Sequence, residues 1–326
     1  MSAVNKAQFQ AAYHIISHCG SLKRDDVVSI VYDERTTEVA SLFKQIADEA
    51  ATQVHFVEVP PARQHGVEPP AGVARQMADS DLILGLTWMS MAHTRARAEA
   101  CAKRSRYLSL PEYSLPLLED PSVTTDFRSR APVVRHFADA FTSGSRVRVT
   151  TALGTDISLK IDGRVGNYCP GFVTKAGDLG SPPDIEANVS PIETASEGII
   201  VVDGSIPCPE IGLLAVPVKL HVRGGKIVDF ESDDSVIAQS ARSLFERVGT
   251  ADAYVLAECG VGLNEKARLT GIMLTDEGAN GCMHFGFGSN ATVGGKNDVP
   301  FHLDFCFRRP TLEIDGVPYI LDGEIV

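Results

Sequence analysis

Strands and helices alternate along the first 140 residues, and this alternation constrains the fold more than any other feature of the sequence. Asp26–Asp33 and Ser80–Leu86 are short apolar runs typical of buried strands, whereas Thr37–Thr52 has its apolar residues at helical spacing. Strands that alternate with helices form a mostly parallel sheet. The sequence therefore predicts an α/β N-terminal domain over residues 1–140 with a mostly parallel sheet, in which residues 62–74 form a loop rich in proline and glycine.

The pattern changes near residue 145, where polar and apolar residues begin to alternate. Ser145–Gly163 predicts a hairpin that turns at Leu153–Asp156, and Ile227–Glu231 predicts a further strand. One amphipathic helix is predicted over residues 233–248. We therefore predict an α+β C-terminal domain, residues 141–326, with an antiparallel sheet that carries the functional site.

The composition excludes several classes of function. The chain has 326 residues, of which 30 are basic and 42 acidic, so its net charge of −12 repels phosphate backbones and anionic lipids. Its apolar runs are far shorter than the roughly 20 residues that span a bilayer, and the N-terminus lacks the apolar core of a signal peptide. The seven cysteines contain no CxxC pair, which disfavours a disulfide framework. We expect a cytoplasmic protein with no nucleic-acid or membrane partner.

Three features in the C-terminal half could carry chemistry. His302 and Asp304 are two residues apart, and on a strand such residues share a face, so they would either bind a metal ion together or form a structural pair. His284 precedes a glycine-rich stretch and is either a site residue or a core histidine. Glu258 ends the predicted apolar strand Ala253–Glu258, where a buried carboxylate needs a metal ion or a basic side chain as its partner.

The order of these features resembles a known family. Glu186–Gly204 resembles the Glu-Val-x-x-x-Pro…Gly-x-x-x-x-Asp-Gly segment of the thermophilic metallo-aminopeptidases of the aminopeptidase T and S type. Three further motifs follow in that family's order, and the resemblance covers residues 145–326 well: Glu258 with Gly260-x-Gly-x-Asn264, His284 with Phe285-Gly-Phe-Gly288, and His302-x-Asp304.

This resemblance implies a metal-dependent hydrolase that cleaves an amide bond in a peptide or a small molecule. It implies two divalent ions (zinc, cobalt or manganese) and five ligands: Glu186, Glu258, His284, His302 and Asp304. Paired ions acidify a bridging water and polarise a carbonyl. Glu258 is the candidate bridge, and Glu186 is either a terminal ligand or the catalytic base that takes the water's proton. The family's assisting tyrosine is replaced here by Ala291.

A second resemblance gives an alternative function. Ser289–Asp304 is similar to the tail of the 2,5-dihydroxypyridine 5,6-dioxygenases, relatives of the same fold that hold one iron(II) ion with two histidines and one aspartate. His302 and Asp304 match two of those ligands, and the third, a histidine, aligns with Glu258. This resemblance implies a mononuclear ring-cleaving dioxygenase acting on a dihydroxypyridine-like substrate.

Two cations are candidates for binding the substrate. Lys296 lies in the glycine-rich stretch before His302, and Arg95 follows a strand of the N-terminal domain; either could instead be a surface charge. Relatives of this fold form dimers or larger assemblies, so the resemblance also implies a homo-oligomer. A binding protein that kept the fold and lost the chemistry is the third class considered.

Overall fold

The computed structural model describes residues 4–326, in which seven α-helices and twenty strands form the regular structure. The helices are α1 (Lys6–His14), α2 (Thr37–Ala50), α3 (Ala71–Ala78), α4 (Arg95–Lys103), α5 (Phe127–Ser143), α6 (Ser235–Glu246) and α7 (Met273–Glu277). The first ten strands are β1 (Val27–Tyr32), β2 (Gln53–Glu58), β3 (Leu82–Leu86), β4 (Arg106–Ser109), β5 (Arg146–Thr150), β6 (Asp156–Lys160), β7 (Asn167–Cys169), β8 (Leu179–Gly180), β9 (Glu186–Val189) and β10 (Glu197–Val202). The others are β11 (Ser205–Ile206), β12 (Gly212–Leu213), β13 (Val218–Arg223), β14 (Lys226–Glu231), β15 (Leu256–Gly262), β16 (Cys282–Gly288), β17 (His302–Arg308), β18 (Thr311–Ile314), β19 (Val317–Leu321) and β20 (Glu324–Ile325).

Contacts within the chain divide it into two compact units. The first unit extends to Arg128 and takes in Cys169–Pro183, and the second consists of Ser129–Tyr168 and Asp184–Val326. The predicted division at residue 140 differs from this one for two reasons. Helix α5 continues across that position, and β8 returns to pair with β4 of the first unit.

A five-stranded sheet forms the centre of the first unit, in the order β2-β1-β3-β4-β8, and each pair in it is parallel. Parallel neighbours need a crossover connection, and α2, α3 and α4 supply the connections between the first four strands. The predicted α/β class is confirmed for this unit. The predicted loop over residues 62–74 is wrong at its end, because α3 begins at Ala71 and buries Val73 and Met77 one turn apart.

Two antiparallel sheets form the second unit. Eight strands pair in the order β14-β13-β10-β6-β5-β18-β19-β20, and the predicted hairpin over residues 145–163 is confirmed as β5 and β6. Seven strands pair in the order β12-β11-β17-β16-β15-β9-β7. The predicted antiparallel character of this half is confirmed. No helix among residues 4–326 is long and apolar enough to cross a membrane.

One side of the seven-stranded sheet, called here the aromatic face, is an apolar layer. Phe285 and Phe287 of β16 lie beside Phe305 and Phe307 of β17, and all four are fully buried. Phe285 stacks on Phe307 with 5.4 Å between ring centroids, and Phe245 of α6 packs 6.0 Å from Phe305. Aromatic pairs at such spacing add to the apolar area that they bury. This packing fixes the strands that carry the candidate site.

Candidate metal centre

The opposite side of the same sheet, called here the ligand face, carries every predicted metal ligand. Side chains alternate between faces along a strand, so Glu258 of β15, His284 of β16 and the pair His302 and Asp304 of β17 share one side. The register brings them together across the strands, because Glu258 pairs with Gly286 and Gly286 pairs with Asp304. Glu186 of β9 joins them through its pairing with Gly262.

Glycines separate the ligands on this face and give them room. A Cβ added at Gly260 would lie 2.0 Å from Nε2 of His284, and one at Gly286 would lie 2.6 Å from Nε2 of His302. Real Cβ atoms do not approach other heavy atoms so closely. The imidazoles therefore extend over the backbone of neighbouring glycines, which explains why small residues alternate with histidines in the sequence.

A β-bulge aims Glu258 at the site. Leu256 pairs with Phe287, yet Glu258 pairs with Gly286, so β15 advances by two residues where β16 advances by one. The extra residue, Ala257, changes the face on which the following residues lie. Leu256 thus belongs to the aromatic face and Glu258 to the ligand face. The predicted strand that ends at Glu258 is corrected by this arrangement: the strand runs from Leu256 to Gly262.

The five predicted ligands form two overlapping groups. In the first ligand group (Glu186, Glu258 and His284), Nε2 of His284 lies 3.0 Å from Oε2 of Glu186 and 3.6 Å from Oε1 of Glu258. In the second ligand group (Glu258, His302 and Asp304), Nε2 of His302 lies 3.5 Å from Oε2 of Glu258 and 3.4 Å from Oδ1 of Asp304. Glu258 contributes one oxygen to each group.

Further hydrogen bonds orient two of these side chains. The backbone carbonyl of Ser289 lies 2.8 Å from Nδ1 of His302, which accordingly donates to it and leaves Nε2 to face the carboxylates. Asn188 donates to Oε1 of Glu186 at 2.7 Å and itself accepts a hydrogen bond from Asn167. Such outer contacts fix the orientation of metal-binding side chains in known metal sites.

Burial and neighbouring charges shift the acid–base properties of the site. Burial alone would lower the pKa of His302, but Asp304 and Glu258 raise it to about 10. Burial likewise opposes the protonation of His284, and contact with Glu186 and Glu258 nevertheless raises its pKa well above the usual range. For Asp304, burial is outweighed by His302, so the pKa lies well below its ordinary value. The imidazoles therefore act as the cations of the metal-free site.

Two further carboxylates, which the sequence analysis missed, lie beside the two groups. Burial raises the pKa of Asp184 well above its ordinary value, and the charge of Glu186 raises it further. Burial and the charge of Asp304 do the same for Glu277 of α7, whose protonated carboxyl shares a hydrogen bond with Asp304. Asp184 lies two residues before Glu186, a spacing that could have identified it. No local pattern points to Glu277.

The side chains present fit a metal ion. Among residues 4–326, several buried side-chain atoms of this region have no hydrogen bond of good geometry: Asp184 Oδ1, Glu186 Oε2, His284 Nδ1 and Asp304 Oδ1. Buried polar atoms without partners are rare in folded proteins. Two of these oxygens face imidazole nitrogens, at 3.0 Å in the first ligand group and 3.4 Å in the second. Carboxylate and imidazole together suit iron, zinc and manganese.

The other predicted site residues lie elsewhere. Lys296 is exposed, in the connection between β16 and β17 that also contains the exposed Ala291. Arg95 belongs to the first unit, where its side chain is 88% exposed and lies 3.7 Å from Glu68. The part of each cation in binding a substrate stays a prediction. The seven cysteines are all free.

Comparisons with known proteins identify the relatives of this chain. A family model described as "NicX: 2,5-dihydroxypyridine 5,6-dioxygenase" matches residues 9–326. A curated protein of Pseudomonas putida, 2,5-dihydroxypyridine 5,6-dioxygenase, is 27% identical over 146 residues, which are 42% of this chain and 41% of that protein. The aligned part is therefore less than half the length of that relative.

Two solved structures share the fold. The structure of 2,5-dihydroxypyridine dioxygenase from Pseudomonas putida superposes with a TM-score of 0.85 at 18% identity, covering 98% of this chain and 96% of that one. Wild-type AmpT from Thermus thermophilus superposes with a TM-score of 0.70 at 14% identity, covering 99% of this chain and 100% of that one. At these identities the likeness concerns the fold alone.

Proposed function

The chain belongs to the 2,5-dihydroxypyridine 5,6-dioxygenase family, and from that membership we propose that it is a metal-dependent dioxygenase that cleaves a hydroxylated nitrogen heterocycle. The match over residues 9–326 is the observation that carries this proposal, because it includes the whole ligand face. The hydrolase favoured by the first sequence resemblance has only a distant likeness of fold behind it.

We propose that the second ligand group holds one iron(II) ion. Its imidazole and two carboxylates approach one another from β15 and β17, across the intervening β16, as a three-sided ligand set requires. An ion held there would supply open coordination positions at which a ring hydroxyl and O₂ come together. Glu186, whose pKa is raised by burial, lies beside that group in contact with His284, and its carboxylate would take up the proton that the ring hydroxyl loses on binding.

Glu258 distinguishes this chain from the dioxygenase pattern. The resemblance implies a histidine at this position, so the proposed iron site has two carboxylates and one imidazole in place of one carboxylate and two imidazoles. The additional negative charge of Glu258 should strengthen the binding of an ion of higher positive charge. It should also weaken the attraction of the site for anionic substrates. Lys296, on the connection before β17, is the candidate to offset this by contacting a deprotonated ring oxygen.

Metal analysis and oxygen uptake test the proposal. Protein purified without chelator or added metal should contain close to one iron per chain. After anaerobic loading with iron(II), it should consume O₂ when 2,5-dihydroxypyridine is added, and it should leave that compound unchanged under nitrogen. Asp304→Asn is the matched control, since it keeps the size of the side chain and removes one ligand charge. Turnover without O₂, or no turnover of any dihydroxypyridine, would contradict the proposal.

One observation favours a second candidate, a two-metal hydrolase. The two ligand groups share Glu258, which contributes a separate oxygen to each, as a bridging carboxylate does. Two divalent ions held in this way would acidify a water between them and polarise the carbonyl of an amide. Glu186 would then be a terminal ligand or the base for that water.

The two candidates differ in metal content and in their need for oxygen. The hydrolase should contain close to two zinc, cobalt or manganese ions per chain, and it should cleave amino-acid amides equally fast in air and under nitrogen. A chain with one iron and no amide cleavage would eliminate it.

A further inference from the structure

A loop between β16 and β17 is held by a partly buried ion pair that the proposed function does not use. This segment, residues 289–297, is called here the glycine loop. Nη2 of Arg164 lies 2.6 Å from Oε2 of Glu193, and the two side chains are only 11% and 19% exposed. Arg164 also donates to the carbonyl of Gly294 at 2.6 Å, and Oε1 of Glu193 accepts from the backbone N–H of Lys296 at 2.7 Å. The ion pair therefore holds the tip of the loop by hydrogen bonds to two of its residues, Gly294 and Lys296.

Asn290 connects the ion pair of Arg164 and Glu193 to the base of the glycine loop. Its side-chain amide donates to Glu193 at 3.1 Å, and its side-chain oxygen accepts from the backbone of Asn297 at 2.7 Å. A Cβ added at Gly295 would lie 1.9 Å from Cγ of Asn290, so only glycine lets the chain pass over this side chain. The fully buried Asn290 thus ties both ends of the loop to Glu193.

The first residue of the glycine loop orients the second ligand group. The carbonyl of Ser289 accepts a hydrogen bond from Nδ1 of His302 at 2.8 Å. The side chain of Ser289 donates to the carbonyl of Asn297 at 3.3 Å, and its backbone N–H donates to Phe301 at 2.8 Å. The direction of the His302 imidazole therefore depends on how the loop is held.

The middle of the glycine loop orients the first ligand group by another route. The carbonyl of Val293 accepts from the side chain of Asn167 at 3.0 Å, and the same amide group donates to Asn188 at 2.7 Å. Asn188 in turn donates to Oε1 of Glu186 at 2.7 Å. Three successive hydrogen bonds thus connect the loop to a carboxylate on the far edge of the site.

We propose that Arg164 and Glu193 are positioning residues for the metal centre, because through the glycine loop they hold His302 and Glu186 in their metal-binding orientations. The inference rests on the proposed function for the second ligand group, which would hold the iron ion, and on the two-metal candidate for the first. It adds a pair of side chains that touch no ligand directly and yet set the geometry of both groups. Loss of a hydrogen bond that orients a metal ligand typically reduces metal affinity by about 10–100-fold.

Cobalt(II) titration of the full chain tests this role. Glu193→Ala removes every contact that the Glu193 side chain makes with the loop. It should weaken cobalt(II) binding by about 10–100-fold and alter the visible absorption spectrum of the bound cobalt(II). Glu193→Gln keeps an oxygen for Lys296 and should fall between Glu193→Ala and the wild type. Because a change of ligand geometry alters the spectrum and a mere loss of stability does not, the spectrum separates positioning from general support of the fold.

Two further variants sharpen the test. Arg148→Met, which removes the exposed pair of Arg148 with Asp156, is the matched control and should leave cobalt(II) binding unchanged. Asn167→Ala breaks only the route to Glu186, so it should weaken the first ligand group and spare the second. If Glu193→Ala fails to fold, Glu193→Gln and Asn167→Ala carry the test.

Proton NMR of the imidazole Nδ1–H of His302 gives a readout that needs neither metal nor activity. The hydrogen-bonded proton should be visible in the wild type and should shift or exchange faster in Glu193→Ala. An unchanged signal together with an unchanged cobalt(II) spectrum would overturn the proposal. A wild type that binds no metal would contradict the proposed function, whereas the NMR signal would still decide whether Glu193 positions His302.

Discussion

The two faces of the seven-stranded sheet are built from the same strands and have opposite chemistry. On β16, Phe285 and Phe287 enter a layer of stacked rings, while His284 and Gly286, which alternate with them along the strand, belong to a polar surface rich in carboxylates. The aromatic face gains stability from each apolar side chain that it buries. The ligand face gathers like charges and unsatisfied atoms, which oppose folding until a cation neutralises them.

This difference means that one face supplies the rigidity that the other needs. Metal ligands must be held within fractions of an ångström, and residues on strands achieve this better than residues on loops. The stacked pair of Phe285 and Phe307 lies behind the backbone that carries His284. Substitutions on the two faces should therefore have separable effects, and the following predictions test that separation.

Glu258→Ala should have the largest effect, because this residue belongs to both ligand groups. Loss of partner contacts alone lowers metal affinity by about 10–100-fold, so loss of a shared ligand should exceed about 100-fold. The metal-free variant should be at least as stable as the metal-free wild type, since a buried carboxylate has been removed. Metal per chain and thermal unfolding measure the two effects. Val261→Ala, on the other face of β15, is the control, and full metal content in Glu258→Ala would disprove the assignment.

Phe285→Ala should have the opposite outcome to Glu258→Ala: it should lower stability and leave metal binding intact. Truncation of a fully buried phenylalanine lowers the free energy of unfolding by about 3–5 kcal/mol, through lost burial and the cavity that remains. The folded fraction should still bind metal, because His284 and Gly286 keep their register. Urea unfolding followed by metal titration under folding conditions measures both properties. Normal stability combined with lost metal would show that the faces are not separable.

Gly286→Ala should weaken metal binding with little change in fold. The new Cβ would lie 2.6 Å from Nε2 of His302 and 2.8 Å from Oδ1 of Asp304, so both ligands must move. We expect a loss of metal affinity of about 10–100-fold, comparable with the loss of a partner contact. Gly72→Ala, whose added Cβ would approach only the end of the Arg75 side chain, is the matched control. Equal metal affinities in the two variants would contradict the crowding argument.

The pH dependence of metal binding should be the mildest effect. The pKa of His302 in the metal-free site is raised to about 10, above the value of about 6.5 of an unfolded chain. The protonated imidazole therefore stabilises the metal-free fold fully below about pH 6.5, and this contribution is lost as the pH rises through 10. Since a metal ion must displace that proton, affinity should rise about tenfold per pH unit between pH 6.5 and 9. Competition titrations with a chromophoric chelator would measure the slope, and a flat profile would show that His302 binds no metal.

Much of the fold and the five candidate ligands could be predicted from the sequence. Strand periodicity placed His302 and Asp304 on one face, and the alternation in the first half gave a parallel sheet. The pairing of the remaining ligands came from a resemblance and not from local pattern. The helix at Ala71 was missed because the proline and glycine around it indicate a loop, although proline is well tolerated where a helix begins.

The residues around the ligands could not be predicted, because tertiary contacts alone bring them there. Glu277 is the last residue of the short helix α7, whose sequence gives no sign that Glu277 meets Asp304. Glu193 lies seven positions beyond Glu186, and nothing in the sequence around it indicates that it holds a loop from a distant part of the chain. Long-range partners of this kind leave no periodic signal.

The bulge at Ala257 makes the site tolerant of one particular change in chain length. Leu256 and Glu258 already occupy neighbouring pairing positions, opposite Phe287 and Gly286, so deletion of Ala257 would leave a regular strand with Glu258 still on the ligand face. Deletion of one residue from the regular pairing between Cys259 and Val261 would instead turn one part of the strand over and separate its side chains from their face. In comparing relatives of this chain, a one-residue gap at Ala257 should therefore not count as the loss of a ligand.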